Sequence, residues 1–297
     1  MISPQPVYRG RFAPSPTGQL HFGSLIAAVA SWLRARAEGG TWLVRIEDID
    51  PPREMPGAAG DILETLAAFE LVSDEPVLWQ HTRHDAYAAA LSQLRERDLA
   101  FPCWCSRADL LANGGLHLGA CVAPPDATRA PAWRARVPAS RVSFLDALAG
   151  EFGQALGEEV GDFVVRRVEG FYAYQLAVVV DDAFQGITEV VRGADLLDST
   201  PRQLWLQEIL GLPRPAYAHL PLALGPDGRK LSKADRSRPV DRDDPLPALR
   251  AALAFLGLPA ALMSSPVPHD RLLHAAVAEF SLDAIPRPVL PVADDGR

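Results

Sequence analysis

Long apolar runs are missing from this 297-residue chain: the longest uncharged ones, Leu25 to Leu33 and Tyr172 to Val180, fall well short of the roughly 20 residues a helix needs to cross a bilayer. Met1 to Arg11 also lacks the apolar core of a secretion signal, so the expectation is a soluble, cytoplasmic protein with no membrane partner. Cysteine is scarce. Three thiols cannot all pair within one chain, which argues against a disulfide scaffold. Positive charge is in deficit, and a formal net charge of −8 argues against broad nonspecific affinity for nucleic acid, although a local stripe such as Arg129, Arg134, Arg136 and Arg141 can still face a phosphate backbone. Internal repeats and low-complexity tracts are absent as well. What is there is 48% hydrophobic, ample for a buried core in one large domain or two ordinary ones.

Two separated segments stand out. Pro14-Ser15-Pro16-Thr17-Gly18-Gln19-Leu20-His21-Phe22-Gly23-Ser24 follows a plausible strand, Tyr8 to Phe12, and precedes Leu25 to Arg36, where Leu25, Ile26, Val29, Trp32 and Leu33 recur at helical spacing. Two prolines stiffen this loop, Gly18 and Gly23 let backbone approach a ligand, and Ser24 is expected to open a helix whose N-terminal amides and dipole favour phosphate. His21 adds a hydrogen-bonding or proton-bearing group. Much later, Lys230-Leu231-Ser232-Lys233 follows the turn signal Gly225-Pro226-Asp227-Gly228, so two ammonium groups flank a hydroxyl on what reads as an exposed, mobile loop. Either segment alone is as readily a Pro-rich connection or a solvated basic loop; together they point to an ATP site.

The cysteines cluster. Cys103-Trp104-Cys105 and His117-Leu118-Gly119-Ala120-Cys121 offer three thiolates and one imidazole, a tetrahedral set suited to Zn²⁺ with Cys103, Cys105, His117 and Cys121 as ligands. With all four positions filled by protein, such a zinc is structural. Reduced cysteines in a loop are the alternative, because CxC spacing is less diagnostic than paired CxxC motifs.

Elsewhere, strands alternate with helices. Thr41 to Glu47 reads as a strand ending in the acidic turn Glu47-Asp48-Ile49-Asp50, the next helix has Ile62, Leu63, Leu66 and Phe69 on one face, and another runs through Tyr87, Leu91 and Leu94. Asp162 to Arg167 and Thr188 to Arg192 read as further strands. Ser199 and Pro201 start a helix through Leu210, and helices follow at Leu246 to Leu258 and Asp270 to Phe280. This alternation predicts an α/β fold, a doubly wound parallel sheet with ligands outside the carboxyl ends of its strands, where His21 and Glu47 would both lie.

In order and spacing, the Pro14 to Ser24 segment, Arg45-Ile46-Glu47-Asp48-Ile49-Asp50, Val191-Arg192-Gly193-Ala194-Asp195-Leu196-Leu197 with Thr200-Pro201-Arg202-Gln203, and Lys230 to Lys233 resemble class I glutamyl- and glutaminyl-tRNA synthetases over residues 8 to 240. The resemblance implies a Rossmann-like catalytic domain in two halves, 1–100 and 161–240. An inserted, acceptor-binding-like subdomain at 101–160 carries the zinc knuckle, and 241–297 forms a short helical C-terminal region. The chain is expected to stop where those synthetases continue into a large anticodon-binding region. The resemblance also implies that Arg11, Phe12, Ala13, Pro14, Ser15, Glu47, Tyr174 and Arg192 bind glutamate. Guanidinium groups suit carboxylates, Glu47 suits an ammonium, and the Tyr174 phenol can close the pocket. The bland readings are a core aromatic for Tyr174 and a surface salt bridge for Arg11 and Glu47. ATP binding falls to His21, Gly23, Ser24, Lys230, Ser232 and Lys233, with His21, Lys230 and Lys233 catalytic. Phe22, Ser24 and Ala234 depart from the family's two ATP signatures, and His117 stands where its zinc-binding members commonly carry tyrosine.

The implied chemistry uses ATP with Mg²⁺: a carboxylate oxygen of L-glutamate attacks the α-phosphorus and glutamyl-adenylate forms. Shortened family members with a CxC…C insertion pass the glutamyl group to queuosine, a modified base in the anticodon of tRNA(Asp), and this chain is expected to do so as a monomer. Competing readings are a tRNA 3′ end as acceptor, nucleotidyl transfer to a small acid, or a non-catalytic RNA-binding or glutamate-sensing module. The retained His21, Lys230 and Lys233 disfavour the last.

Overall fold

The chain opens with β1 (Arg9–Phe12), α1 (Phe22–Ala37) and β2 (Thr41–Ile46), then runs through α2 (Ala58–Ala68) to the short β3 (Leu78–Trp79); β1, β2 and β3 are parallel. Gly40 permits the tight return into β2, because a Cβ there would lie 2.4 Å from Tyr8 O. Next, α3 (His84–Glu96) leads into a middle region of β4 (Ala100–Cys103), α4 (Arg107–Ala112), β5 (Ala132–Ala135), the hairpin β6 (Arg141–Asp146) and β7 (Gly150–Ala155), α5 (Leu156–Glu159) and β8 (Phe163–Arg166). The chain returns through α6 (Tyr174–Phe184) to β9 (Glu189–Gly193), α7 (Thr200–Leu210) and β10 (Ala216–Leu220), and continues into α8 (Pro245–Phe255), α9 (Ala260–Met263) and α10 (His269–Glu279). This computed structural model describes residues 7–112, 114–223, 239–264 and 268–288; Lys230, Ser232 and Lys233, with Gly225 to Gly228 and Ala234, lie outside them.

Strand β10 pairs in parallel with β9, and Thr188 N donates to Arg9 O at 2.9 Å, which sets β9 beside β1. The parallel order is therefore β3-β2-β1-β9-β10, and the winding reverses between β1 and β9. Their carboxyl ends, at Phe12 and Gly193, open onto one cavity, as expected at a topological switch point. The expected strand at Asp162 to Arg167 forms as β8 but does not join this sheet. It pairs antiparallel with β5 in a separate sheet ordered β4-β5-β8. Alternation in sequence predicts a strand without saying which partner edge it will reach.

Helix α1 has its buried residues all round because it is covered twice. The sheet lies on one side, and Leu249, Leu253, Leu272 and Ala276 of α8 and α10 join Leu25, Val29 and Leu33 in the same core. A second core joins Tyr87, Leu91 and Leu94 of α3 to Leu176 and Val179 of α6 and Leu206 and Ile209 of α7. The β6–β7 hairpin folds back onto the parallel sheet. Val142 and Phe144 pack against Leu43, Val190 and Tyr217, and Ala147 N donates to Tyr217 O at 2.9 Å. Among the described residues no helix is long and apolar enough to cross a membrane.

Candidate active site and metal centre

A cavity of about 770 Å³ sits at the switch point. Every sequence-predicted glutamate- or ATP-site residue within the described chain lines it: Arg11, Phe12, Ala13, Pro14, Ser15, His21, Gly23, Ser24, Glu47, Tyr174 and Arg192. The proline loop is pinned over the strand ends by Glu47 N to Pro14 O and Met55 N to Pro16 O, both 2.9 Å. Ser24 does not open the helix. His21 is extended and caps α1, its Nδ1 accepting from Ser24 N at 3.2 Å, so the helix starts at Phe22 and Ser24 sits inside its first turn. With Nδ1 an acceptor, a neutral ring carries its proton on Nε2, 3.1 Å from Ser24 Oγ. Ala223 and Pro239, the described residues flanking the stretch that contains Lys230 and Lys233, both line the cavity, and Val240 N donates to Leu20 O at 2.9 Å.

Arg11 and Glu47 are buried rather than paired at the surface. Arg11 Nε and Nη2 donate to the two oxygens of Asp182 at 3.1 and 3.4 Å. Arg45, with no exposed side-chain surface, joins the two carboxylates, reaching Asp182 Oδ1 at 2.8 Å and Glu47 Oε1 at 3.3 Å. Burial pushes the Glu47 carboxyl above its ordinary range despite Arg45 and Arg11. Burial pushes Asp182 the same way, but contact with both guanidinium groups outweighs it and holds that carboxyl below its ordinary value.

Arg192 is held at nearly every donor. Nε reaches His219 Nε2 at 3.1 Å, Nη2 reaches Thr200 Oγ1 and Gln203 Oε1 at 2.9 and 2.8 Å, and Nη1 reaches the Tyr174 hydroxyl at 3.2 Å. Of five N–H groups, one on Nη1 is left for the cavity. Tyr174 is therefore more than a core aromatic. Burial raises its pKa, so the phenol stays protonated and can donate as well as accept.

Sequence reasoning missed Arg45, Asp182, Thr200, Gln203, His219 and Asp146 as parts of this site. Signals existed for five of them: Arg45, Thr200 and Gln203 lie in the motif blocks, the pair Asp181-Asp182 ends the apolar run Leu176 to Val180, and His219 interrupts the strand Ala216 to Leu220. Nothing in the sequence ties Asp146 to them. Each arginine of the expected stripe has at least one protein acceptor. Arg129 Nη2 donates to Trp104 O, Arg134 to Cys103 Sγ and Asp162 O, Arg136 Nε to Asp98 O, and Arg141 to Gly153 O.

The four predicted ligand atoms of Cys103, Cys105, His117 and Cys121 lie within 4.8 Å of one another. His117 is buried; its Nδ1 meets Asp162 Oδ2 at 3.1 Å, while its Nε2 is buried with no hydrogen-bond partner among the described residues. An imidazole oriented by a carboxylate, with the other nitrogen free, is arranged to ligate a metal. Burial and the neighbouring thiols push the Cys121 thiol up to about 12. A dication would relieve this crowding, so the S₃N donor set fits Zn²⁺.

The family described as tRNA synthetases class I (E and Q), catalytic domain, matches residues 8–119 and 125–268. The chain is 60% identical over 281 residues to a glutamyl-Q tRNA(Asp) synthetase of Xanthomonas campestris pv. campestris, covering 94% of each chain. It is 51% identical over 291 residues to the glutamyl-Q tRNA(Asp) synthetase of Pseudomonas putida, covering 97% of this chain and 96% of that one. Among solved structures it is similar to a glutamate tRNA ligase from Elizabethkingia meningosepticum in complex with its amino acid, with a TM-score of 0.79 and 25% identity; it spans 66% of that ligase's length.

Proposed function

This chain belongs to the class I glutamyl- and glutaminyl-tRNA synthetase family, and we propose that it activates L-glutamate with ATP and transfers it to queuosine in the anticodon of tRNA(Asp). The observation that carries the reading is one cavity in which a phosphate-type loop and helix N-terminus adjoin a set of charges matched to glutamate. Around that pocket, Arg11 and Arg45 are paired with Glu47 and Asp182, and Arg192 is paired with Tyr174. Glutamate brings two carboxylates and one ammonium, which suit the Arg192 and Arg11 guanidinium groups and the Glu47 carboxylate; the neutral side chain of glutamine gives Arg192 no charged partner.

On this reading Arg192 and Tyr174 take the side-chain carboxylate, Glu47 takes the α-ammonium, and Arg11 holds the α-carboxylate for attack on the α-phosphorus. The Pro14 to Ser15 backbone borders the amino acid, while His21, Ser24 and the Gly23 amide at the start of α1 lie on the phosphate side, the Ser24 amide being taken by His21 Nδ1. Lys230 and Lys233 are assigned to the charge developing on the departing pyrophosphate, with Ser232 between them. Mg²⁺ arriving with ATP supplies further charge neutralisation. The adenylate carbonyl is then attacked by a cyclopentene hydroxyl of queuosine, and AMP leaves. Zn²⁺ on Cys103, Cys105, His117 and Cys121 would be structural, tying β4 to the Gly119 loop.

Relatives named for glutamyl-Q tRNA(Asp) support the modified base over a tRNA 3′ end. The test is incubation with ATP, labelled glutamate and tRNA(Asp) with or without queuosine. Label is expected only on the queuosine-bearing RNA, in a base-linked ester; label on both RNAs, or at the 3′ end, overturns the assignment.

A further inference from the structure

Arg192 is braced from behind by residues that no step above uses. His219 on β10 is fully buried, and its Nε2 receives Arg192 Nε–H at 3.1 Å and lies 3.3 Å from Thr200 Oγ1. Because Thr200 Oγ1 already accepts from Arg192 Nη2 at 2.9 Å, its own hydrogen is free to point at the same imidazole nitrogen. Two donors converging on Nε2 require a lone pair there, which puts the ring proton on Nδ1. Asp146 Oδ2 lies 2.6 Å from that Nδ1. The other oxygen, Oδ1, accepts from the amides of His219, Leu148 and Ala149 at 3.1, 2.9 and 2.8 Å, which fixes the carboxylate in place. Burial lowers the His219 pKa, so the ring is neutral, as the hydrogen bonds require.

We propose that Asp146 and His219 are a positioning pair for Arg192. The carboxylate fixes the His219 tautomer, the Nε2 lone pair fixes Arg192 Nε, and the guanidinium is thereby held with its remaining Nη1–H toward the substrate's side-chain carboxylate. This rests on the glutamate reading of the pocket. It makes the β6–β7 hairpin, which lies outside the parallel sheet, a determinant of glutamate affinity.

Asp146→Asn tests it. The substitution keeps size and the backbone hydrogen bonds to Oδ1 but turns an N–H toward Nδ1, so the ring proton moves to Nε2 and opposes Arg192 Nε–H. In glutamate-dependent ATP–pyrophosphate exchange, KM for glutamate is expected to rise about tenfold or more while KM for ATP stays within about twofold, the loss of one charge-assisted hydrogen bond. Parallel changes in both constants, or no change, overturn the proposal. If that variant does not fold, His219→Gln and His219→Leu replace it. Gln offers an acceptor where Nε2 sits and is expected to keep a lower glutamate KM than Leu; equal values overturn the proposal. ¹⁵N spectra of the unsubstituted protein are expected to show His219 protonated at Nδ1 alone, and a proton on Nε2 overturns it without any variant. Absence of glutamate-dependent exchange in the unsubstituted protein counts against the functional reading instead, and the tautomer still decides the inference.

Discussion

Glu47 and Asp182 are buried carboxylates that share Arg45, yet their ionisation is pushed in opposite directions. Asp182 touches two guanidinium groups, while Glu47 meets one at 3.3 Å and keeps an edge on the cavity. The signs follow by linkage. Asp182, depressed below an ordinary value of about 3.9, contributes stability that is present above that pH and lost as pH falls through its folded value. Glu47, raised above about 4.3, subtracts stability as pH climbs from that value through its folded one. Glu47→Gln is therefore expected to melt no lower than the parent at pH 7, with any gain vanishing below about pH 4. The same change removes a charged partner for the α-ammonium, so KM for glutamate should rise about 10- to 100-fold, the usual worth of a charged hydrogen bond. A lowered melting point with unchanged KM would show that Glu47 is a structural counter-ion instead. Asp182→Asn leaves Arg11 and Arg45 buried with too little negative charge, and urea unfolding is expected to register a loss of about 3–5 kcal/mol. A loss below 1 kcal/mol contradicts the network as described.

Local elements were the part of the fold most legible in the sequence, because each is set by its own periodicity. The β1–α1–β2 opening follows from Leu25, Val29 and Leu33 at helical spacing between two short apolar strands. What sequence could not give is partnership across distance. Strand β8 reads like any other strand, but its antiparallel neighbour β5 is separated from it in sequence by the β6–β7 hairpin and α5. The cap of α1 was misplaced for a related reason: His21 is unusual as a cap, and only the folded loop brings its Nδ1 to Ser24 N. The metal knuckle illustrates both cases. Its four ligands were legible as residue types, whereas the carboxylate that orients His117 is supplied by Asp162, just before β8. Gly161 makes room for this junction with φ of +71°, where a Cβ would sit 2.6 Å from His117 O. Asp162 also accepts from Gly119 N and Val137 N, so it organises the ligand loop as well as the ligand. Protein purified without chelator is expected to carry one zinc per chain, and Asp162→Asn to weaken that zinc about 10- to 100-fold in competition with a chromogenic chelator. Equal affinity in parent and variant rules out the orienting role.

Across the whole molecule, basic side chains are distributed in a way that isolates one segment for chemistry. Of 29 Lys and Arg residues, only Lys230 and Lys233 are lysine; every other basic group, including all those around the glutamate pocket, is arginine. Arginine suits the pocket because it stays charged when buried and presents a planar fork to carboxylates. Lysine offers a compact, mobile ammonium, which suits a phosphate whose charge grows and departs during reaction. The described residues on either side of that segment, Ala223 and Pro239, both line the cavity. This distribution permits a test that substitution alone does not. An amine-selective acylating reagent near neutral pH has only these two side chains and the chain's amino terminus to modify, because guanidinium groups remain protonated. Acylation is expected to abolish glutamate-dependent ATP–pyrophosphate exchange without lowering the melting temperature, and ATP present during labelling is expected to protect both activity and the two lysines, as read by peptide mass spectrometry. Lys233→Ala should reproduce the loss while keeping the fold. Full exchange activity after both lysines are acylated would remove them from the reaction and leave His21 and the α1 amides as the phosphate-binding groups.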